Sequence, residues 1–404
     1  MIEMNKISFI LTCLLLVSSC KTTNYKRTES EYPTITISED DFDKNKDFAR
    51  VFEGINLIPL ETTRESIIGS VHSIKEYKGR YYILDKDVGN SIIIFEKDGR
   101  FVNKISDGGK GPGEFIELSY LTIDEYSDHL IVCAKSPMKL LRYNLSGKYI
   151  DEVILDRTPY AVEAIDEKKY VIKYGGPADN ICLSYKNGDF IKVLYQLEDH
   201  ASKSMLFKEL IKHGERVLYH QNYNDTIFLI SENGITPWLY VDFGEWKITR
   251  EMVDKIYSVT MQKQRATGPP RNIMTGSYYY TESDEMIYFG FTADLHGNSA
   301  LHHVYHNKVL GSTIVIPPGR GADLHLFDKY RFLYLLLVYD VNSGGQAIAC
   351  LDYSRLSNSY DEIEKLIKDG FISVKGESSI TELKHLDENS NPILVLCNIK
   401  LSVN

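Results

Sequence analysis

The chain has 404 residues with 46 basic and 56 acidic side chains, which gives a formal net charge of −10 at pH 7. This acidic balance argues against general nucleic-acid binding, which needs a basic surface. Net charge otherwise bears on solubility rather than on fold.

The N-terminus has the layout of a secretory signal. Lys6 precedes an apolar run at 7–17, which is shorter than the roughly 20 residues that span a bilayer. The following Val17-Ser-Ser-Cys20 resembles a bacterial lipobox, in which the cysteine is lipidated. We therefore expect residues 1–19 to be a signal peptide and 20–33 a flexible tether. Cys20 would anchor the exported protein to the cell envelope, with the outer membrane as the expected site. An ordinary secretory signal is the alternative.

A cassette recurs after the tether: an apolar run, a tight turn with glycine, and an aromatic residue that opens a second run. It reads Ser-Ile-Ile-Ile-Phe-Glu-Lys-Asp-Gly-Arg-Phe at 91–101 and returns at 139–149, 181–190 and, loosely, 225–234. The turn glycines lie ~40–50 residues apart, a period typical of a β-propeller blade. These glycines are Gly99, Gly147, Gly188 and Gly234.

Each blade of a propeller has four antiparallel strands, A innermost to D outermost, so the starts of the B strands count the blades. The starts are predicted near Tyr81, His129, Tyr170, Arg216, Met286 and Phe332. The sequence therefore predicts an all-β, six-bladed propeller over residues 34–404. An amphipathic helix at 249–261, capped by Thr249, predicts a helical insertion between blades four and five.

Blade six is the least regular. Segments 323–328 and 331–339 are expected as its A and B strands, and the third strand is either 346–351 or 392–400. Between these two candidates, residues 360–368 have the spacing of a helix. The N-terminal run at 55–60 is expected to complete blade six as its outer strand and to close the ring.

Several segments resemble a known family. They are Ile-Pro-Leu-Glu-Thr at 58–62, Gly-Lys-Gly-Pro-Gly-Glu-Phe at 109–115, Tyr-Asn-Asp-Thr-Ile-Phe at 223–228 and Asn-Pro-Ile-Leu-Val-Leu at 391–396. The chain resembles the six-bladed β-propeller lipoproteins of Bacteroides-type bacteria, relatives of NHL-repeat propellers, over residues 55–400. The resemblance implies the propeller fold and an envelope location, and it implies no catalytic residue.

The strand order separates two faces. The A–B and C–D turns emerge on one face and are short, while the B–C and D–A links emerge on the other and are long. Because binding usually occurs in long loops on a rigid scaffold, we expect the site on the face with the long links. The candidate residues there are Lys110, Glu114, His220, Asn224, Asp225, Arg265, Arg271, His296 and Arg320.

Local motifs do not predict a metal or a phosphate site. The glycine-rich run at 108–113 lacks the Lys-Ser/Thr and helix of a phosphate loop, so a structural turn is favoured. His302 and His306 would lie about 13 Å apart along a strand, too far to share an ion. Cys133, Cys182, Cys350 and Cys397 each stand alone in apolar runs, which favours buried free thiols, although export permits disulfides.

No Gly-x-Ser-x-Gly or His-Glu-x-x-His motif is present. We therefore expect a lipid-anchored, non-catalytic protein that uses no cofactor and binds a glycan, an anionic ligand or a protein partner. One alternative is a metal-dependent lyase or lactonase-type enzyme with His220, Asp225, His296 and Arg320 in its site. Another is a structural subunit of an envelope transport complex.

Overall fold

A computed structural model of the chain describes residues 32–38, 41, 52–175, 180–196, 210–221, 224–252, 274–295, 298–316, 337–342, 344–374 and 380–399. The predicted signal peptide, the tether to residue 31 and Cys20 lie outside these residues. Within them, none of the helices has the length and apolar character needed to cross a membrane. Four predicted site residues also lie outside the described residues: Arg265, Arg271, His296 and Arg320.

Short strands rich in Ile, Val, Tyr and Phe dominate, as expected for residues that fit a pleated, buried surface. In the described residues the strands are β1 (Thr34–Thr36), β2 (Phe52–Pro59), β3 (Ser73–Tyr77), β4 (Arg80–Asp85), β5 (Ser91–Glu96), β6 (Phe101–Ile105), β7 (Glu117–Asp124), β8 (His129–Ser136), β9 (Met138–Asn144), β10 (Tyr149–Ile154), β11 (Thr158–Ala164), β12 (Lys169–Gly175), β13 (Asn180–Tyr185), β14 (Phe190–Gln196), β15 (Leu210–His213), β16 (Arg216–His220), β17 (Thr226–Ser231), β18 (Gly234–Asp242), β19 (Met274–Glu282), β20 (Met286–Leu295), β21 (Asn298–Asn307), β22 (Ser312–Ile316), β23 (Val338–Val341), β24 (Ala347–Leu351), β25 (Ile372–Val374) and β26 (Ile393–Ile399). Helices of this part are α1 (Tyr353–Ser357), α2 (Tyr360–Lys368) and α3 (Ile380–Leu383).

These strands form a six-bladed β-propeller, which confirms the predicted fold class. Blades one to five are β3–β6, β7–β10, β11–β14, β15–β18 and β19–β22, and each is antiparallel. Blade six runs β23, β24, β26 and β2 from the inside outward. The inner strands β3, β7, β11, β15, β19 and β23 contact one another in that order around the ring. In two blades a fifth strand pairs in parallel with the outer strand: β1 pairs with β18, and β25 pairs with β2.

The first five B strands begin within one residue of their predicted starts, but the sixth prediction is wrong. The B strand of blade six begins at Ala347, and the described end of the segment 331–339 belongs to the innermost strand β23. Of the two candidates for the third strand, the C-terminal one is correct, because β26 pairs with both β24 and β2. Of the segment 55–60, residues 55–59 belong to β2 and close the ring as predicted.

The A–B and C–D turns form one end of the propeller, which we call the turn face; it includes the turns at 78–79 and 97–100. The B–C and D–A links form the opposite end, the loop face, which includes the links at 86–90 and 106–116. On the loop face, the link between β24 and β26 contains α1, α2, β25 and α3. The predicted helix at 360–368 is confirmed as α2, which buries Ile363 and Leu366.

Three of the C–D turn glycines, Gly99, Gly147 and Gly188, let a blade approach the one before it. In the β5–β6 hairpin the Gly99 amide donates to the Glu96 carbonyl over 2.9 Å, and the glycine has φ +91°. A Cβ at this position would lie 2.2 Å from the carbonyl oxygen of Pro59 in blade six. Gly188 of blade three likewise lies against Val153 of blade two, 2.4 Å from the place of a Cβ. The glycines are therefore needed for blade contact as well as for turn geometry.

The buried Asn391 side chain connects two distant segments of the chain at the closing blade. The Asn391 side chain donates to the carbonyls of Glu61 (2.8 Å) and Ser66 (2.9 Å) and accepts from the Ile68 amide (2.9 Å). The amide of Asn391 donates to the hydroxyl of Thr62 over 2.8 Å. These bonds fix the segment before β26 to the link between β2 and β3.

The four cysteines and the start of the insertion helix agree with the sequence predictions. The four cysteines 133, 182, 350 and 397 are buried and free, as favoured from the sequence. The Met252 amide donates to the Thr249 hydroxyl over 3.3 Å, which is the expected cap of the insertion helix; the remainder of that helix lies outside the described residues.

Candidate binding site in the central channel

A large cavity lies where the inner strands end at the turn face. Its volume is about 710 Å³, and residues of blades one, two, four, five and six line it. Pockets of 300–1,000 Å³ are typical of small-ligand sites. We call it the polar cavity, because charged and amide side chains and backbone groups form most of its wall; Lys75, Thr122, Lys212 and Asp340 are among them.

A buried ion pair lies in the wall nearest the channel interior. Lys75 Nζ of blade one donates to Asp340 Oδ2 of blade six over 2.8 Å, and the Thr281 hydroxyl of blade five donates to Asp340 Oδ1 over 3.0 Å. Burial opposes the charge on Lys75, but Asp340 and Glu163 outweigh it and raise the pKa of Lys75 above its ordinary value. This Lys75–Asp340–Thr281 cluster links three neighbouring blades.

A second buried carboxyl group joins blades two and three. Glu163 accepts hydrogen bonds from the hydroxyls of Tyr120 (2.8 Å) and Thr122 (2.7 Å). Burial raises the pKa of Glu163, with Lys75 acting in the opposite direction. The Tyr120 hydroxyl also lies 2.8 Å from the Leu210 carbonyl of blade four. A proton on Glu163 would let the carboxyl donate to Tyr120 while Tyr120 donates to Leu210.

The rim of the polar cavity carries further charges. Lys78 pairs with Asp128 over 2.6 Å, and His213 lies 3.1 Å from Asp284. Lys212 donates to the Ala164 carbonyl over 2.8 Å, and burial lowers its pKa in spite of the surrounding carboxylates.

Among the described residues on the rim of the polar cavity, acidic side chains without an ion-pair partner outnumber basic side chains without one. Within the described part of the chain, Lys212 has no ion-pair partner, and the same holds for three lining acids: Glu76, Glu125 and Glu285.

The predicted site residues Lys110 and Glu114 lie in the link between β6 and β7. Glu114 accepts from the Gly111 amide over 2.8 Å, and Glu152 accepts from the Gly113 amide over 2.9 Å. The protein's own carboxylates therefore occupy the amides that a phosphate would need, so this run is a structural turn. Lys110 is exposed.

The other described candidates lie in the β16–β17 hairpin of blade four. Burial lowers the pKa of His220 to about 4, so the imidazole is neutral at pH 7. Burial also raises the pKa of Asp225 to about 6, with Lys247 acting in the opposite direction from 3.8 Å. Asn224 accepts from the Thr226 amide over 3.0 Å and shapes the loop.

The structure therefore places the five described candidates on the loop face in two separate groups, one between blades one and two and one in blade four. None of them lines the polar cavity, which opens at the turn face.

The histidines of β21 have ordinary packing roles. Tyr288 and His303 share a hydrogen bond of 2.7 Å, His302 stacks on Phe291, and His306 bonds to the Thr313 hydroxyl. Among the described residues, no group of three His, Cys, Asp or Glu side chains is arranged to hold a metal ion.

The charged residues of the channel were missed from the sequence. Glu163 and Asp340 are the only charged residues of their inner strands β11 and β23, whereas Lys75 has Glu76 beside it in β3 and Lys212 has His213 beside it in β15. A buried charge in the innermost strand of a blade faces the other blades across the channel, and this signal would have identified them.

The fold and the channel define a six-bladed β-propeller with a charged cavity at one end of its axis. The chain belongs to the family described as domain of unknown function DUF4934, which matches residues 32–398. No curated protein matches the sequence.

Two of the solved structures that match come from Bacteroides species. A Bacteroides fragilis NCTC 9343 protein named "Putative exported protein" is 18% identical with a TM-score of 0.70, over 91% of this chain and 99% of that chain. A DUF4221 member from Bacteroides vulgatus ATCC 8482 is 10% identical with a TM-score of 0.49, over 86% of this chain and 96% of that chain.

Proposed function

We propose that this protein is an exported, lipid-anchored propeller that binds a small glycan in the polar cavity without transforming it. The single observation that carries the proposal is a cavity of about 710 Å³ in a closed scaffold, lined by groups that donate and accept hydrogen bonds. The expected location is supported by the lipobox-like sequence ending at Cys20 and by the name of the Bacteroides fragilis relative.

The charges of the rim favour a glycan over an anion. Glu76, Glu125 and Glu285 have no ion-pair partner in the described residues, and they outnumber Lys212. An anionic ligand would meet net repulsion there. Carboxylates accept well from sugar hydroxyls, and the Lys212 ammonium has further N–H groups to donate.

The test is a glycan array probed with the mature lipidated protein in nanodiscs, followed by titration of the best glycan. Lys212→Met should lower affinity at least tenfold, because it removes a charged donor from the cavity. Lys110→Met is the matched control on the loop face and should leave affinity unchanged.

Two results would contradict the proposal. A glycan whose binding depends on Lys110 and not on Lys212 would move the site to the loop face predicted from the sequence. Stoichiometric metal in protein purified without chelator, together with turnover, would favour the lyase or lactonase-type alternative.

A further inference from the structure

The contacts around Glu163 contain one proton too few for an ionised carboxylate. Tyr120 has a single hydroxyl proton, but its oxygen lies 2.8 Å from Glu163 Oε1 and 2.8 Å from the Leu210 carbonyl oxygen. Both of those oxygens only accept when Glu163 is ionised, so one of the two contacts would lack a proton. A proton on Oε1 lets Glu163 donate to Tyr120 while Tyr120 donates to Leu210. The protonated acid therefore satisfies both contacts.

No ion pair compensates a charge on Glu163 within the described part of the chain. The residue is fully buried. Lys75 pairs with Asp340 over 2.8 Å, and Lys212 donates to the Ala164 carbonyl. An isolated buried carboxylate is strongly disfavoured. Burial accordingly raises the pKa of Glu163 in spite of the opposing effect of Lys75.

Two titratable neighbours of Glu163 stay neutral and one stays charged as it titrates. Burial raises the pKa of the Tyr120 hydroxyl and of the Cys133 thiol well above their ordinary values, and Lys75 has a raised pKa. Lys212 can also lose its charge, because burial lowers its pKa. Other charged side chains on the packed strands have partners of their own: Lys135 with Glu117, Asp124 with Lys186, Lys139 with Glu152, Arg142 with Asp151, Lys169 with Asp166, His213 with Asp284, and Lys173 over the Tyr160 ring.

Glu163 lies at a joint between three blades. It stands on β11 of blade three, bonds to Tyr120 and Thr122 on β7 of blade two, and reaches Leu210 on β15 of blade four through Tyr120. An ionised carboxylate accepts more strongly than a carbonyl. Ionisation would therefore turn the Tyr120 proton toward Glu163, and Leu210 would lose its donor. Thr122 and Lys212 of the same strands line the polar cavity, so the joint supports part of the cavity wall.

From this arrangement we propose that Glu163 is a pH switch in the channel. Protonated, it joins blades two, three and four through Tyr120. At higher pH it releases its proton to solvent, captures the Tyr120 hydroxyl and loosens the contact between β7 and β15. The switch thereby regulates binding in the polar cavity. This last consequence rests on the proposed glycan function, whereas the switch itself does not.

The first test compares the stability of wild type and Glu163→Gln across pH. The glutamine amide donates to Tyr120 and its carbonyl accepts from Thr122, so the variant copies the protonated acid at every pH. The folded pKa lies above the ordinary 4.5, so wild type loses stability as pH rises through this range. The folding equilibrium constant of the variant, relative to wild type, should be near one at pH 4. It should rise with pH by tenfold for each unit by which the pKa is raised.

The matched control is Glu167→Gln, which changes an exposed glutamate in the turn between β11 and β12 of the same blade. Its ratio to wild type should stay near one at every pH. A ratio for Glu163→Gln that does not change with pH would overturn the switch.

Hydrogen–deuterium exchange of the lipidated protein in nanodiscs locates the loosening. At pH 9, peptides that cover 117–124 and 210–213 should exchange faster in wild type than in Glu163→Gln, with no difference at pH 5. Peptides that cover 91–105 in blade one are the internal control. In a Tyr120→Phe background, which lacks the linking hydroxyl, Glu163→Gln should no longer change exchange at 210–213. Equal exchange of wild type and Glu163→Gln at pH 9 would also overturn the switch.

Titration of the glycan selected by the array tests the regulation. Affinity should fall with pH more steeply in wild type than in Glu163→Gln, and the comparison removes the effect of Lys212, which titrates in both. The same pH course in both proteins would overturn the regulation. If the stability ratio and the exchange respond to pH but no glycan binds, the proposed function fails and the switch stands.

Discussion

The contact between Gly99 and blade six gives the sharpest test of how the ring closes. Gly99→Ala places a methyl group 2.2 Å from the Pro59 carbonyl oxygen, and Pro59 is held in β2 by the pairing of this strand with β26. The Gly99 carbonyl also accepts the Glu61 amide over 2.9 Å, so the turn cannot withdraw without losing that bond.

The magnitude follows from a matched glycine in the same blade. Gly79 has φ +77° and no heavy atom within 4 Å of a Cβ, so Gly79→Ala meets only the left-handed backbone cost, about 1–2 kcal/mol. Gly99→Ala meets the same cost plus an overpacking cost of about 1–3 kcal/mol. The free energy of unfolding should therefore fall by about 2–5 kcal/mol for Gly99→Ala.

The assay is denaturation in guanidinium chloride, monitored by tryptophan fluorescence. The free energies of unfolding of both variants and of wild type are compared when all three have the same slope against denaturant concentration. A loss for Gly99→Ala no larger than that for Gly79→Ala would refute the reasoning, because the clash with blade six would then have no energetic effect.

Three further predictions concern buried polar groups, each measured as the free energy of unfolding. Asn391→Leu leaves three backbone groups unpaired and should cost about 3 kcal/mol or more, while the exposed Asn389→Leu should have no effect. Asp340→Ala leaves the Lys75 ammonium buried without its acid and should cost about 3–5 kcal/mol, and adding Lys75→Met should restore most of that loss. Asp225 has a folded pKa of about 6 against an ordinary 3.8, so folding disfavours its charged form and stability falls as pH rises between these values. Asp225→Asn should therefore be more stable than wild type by about 1–3 kcal/mol at pH 7.5 and equal to it near pH 4.

Each of these three stability predictions has an outcome that would contradict it. Equal losses for Asn391→Leu and Asn389→Leu would show that the closing bonds contribute nothing. A double variant as unstable as Asp340→Ala would place the cost in packing rather than in the unpaired charge. A constant difference between Asp225→Asn and wild type at all pH values would contradict the raised pKa of Asp225.

The sequence predicts blades one to five closely because each repeats a strand, a glycine turn and a strand within a short stretch of chain. Blade six breaks this rule. Its second and third strands, β24 and β26, are separated by three helices and β25, so no local spacing relates them. The position of the outer strand β2 can be predicted only because the segment at 55–60 fits no other blade.

The candidate site was harder to predict for a related reason. The partners Lys75 and Asp340 come from opposite parts of the chain and meet only when blades one and six close against each other. Local spacing cannot show such proximity. Motif patterns point to histidines and arginines in long links, whereas the charges of the polar cavity lie in the inner strands and form no recognisable motif.

The closing blade also has a consequence for the order in which the protein can mature. Its outer strand β2 is made early, and β26, the partner that holds β2 in the ring, is made after the strands of the other five blades. Synthesis proceeds from the N-terminus, so β2 must wait without its partner β26, and an unpaired strand edge is prone to pair with other chains. We expect a chain interrupted before residue 393 to leave β2 unpaired and to be captured by proteases or chaperones, and the ring to close only after β26 has been made.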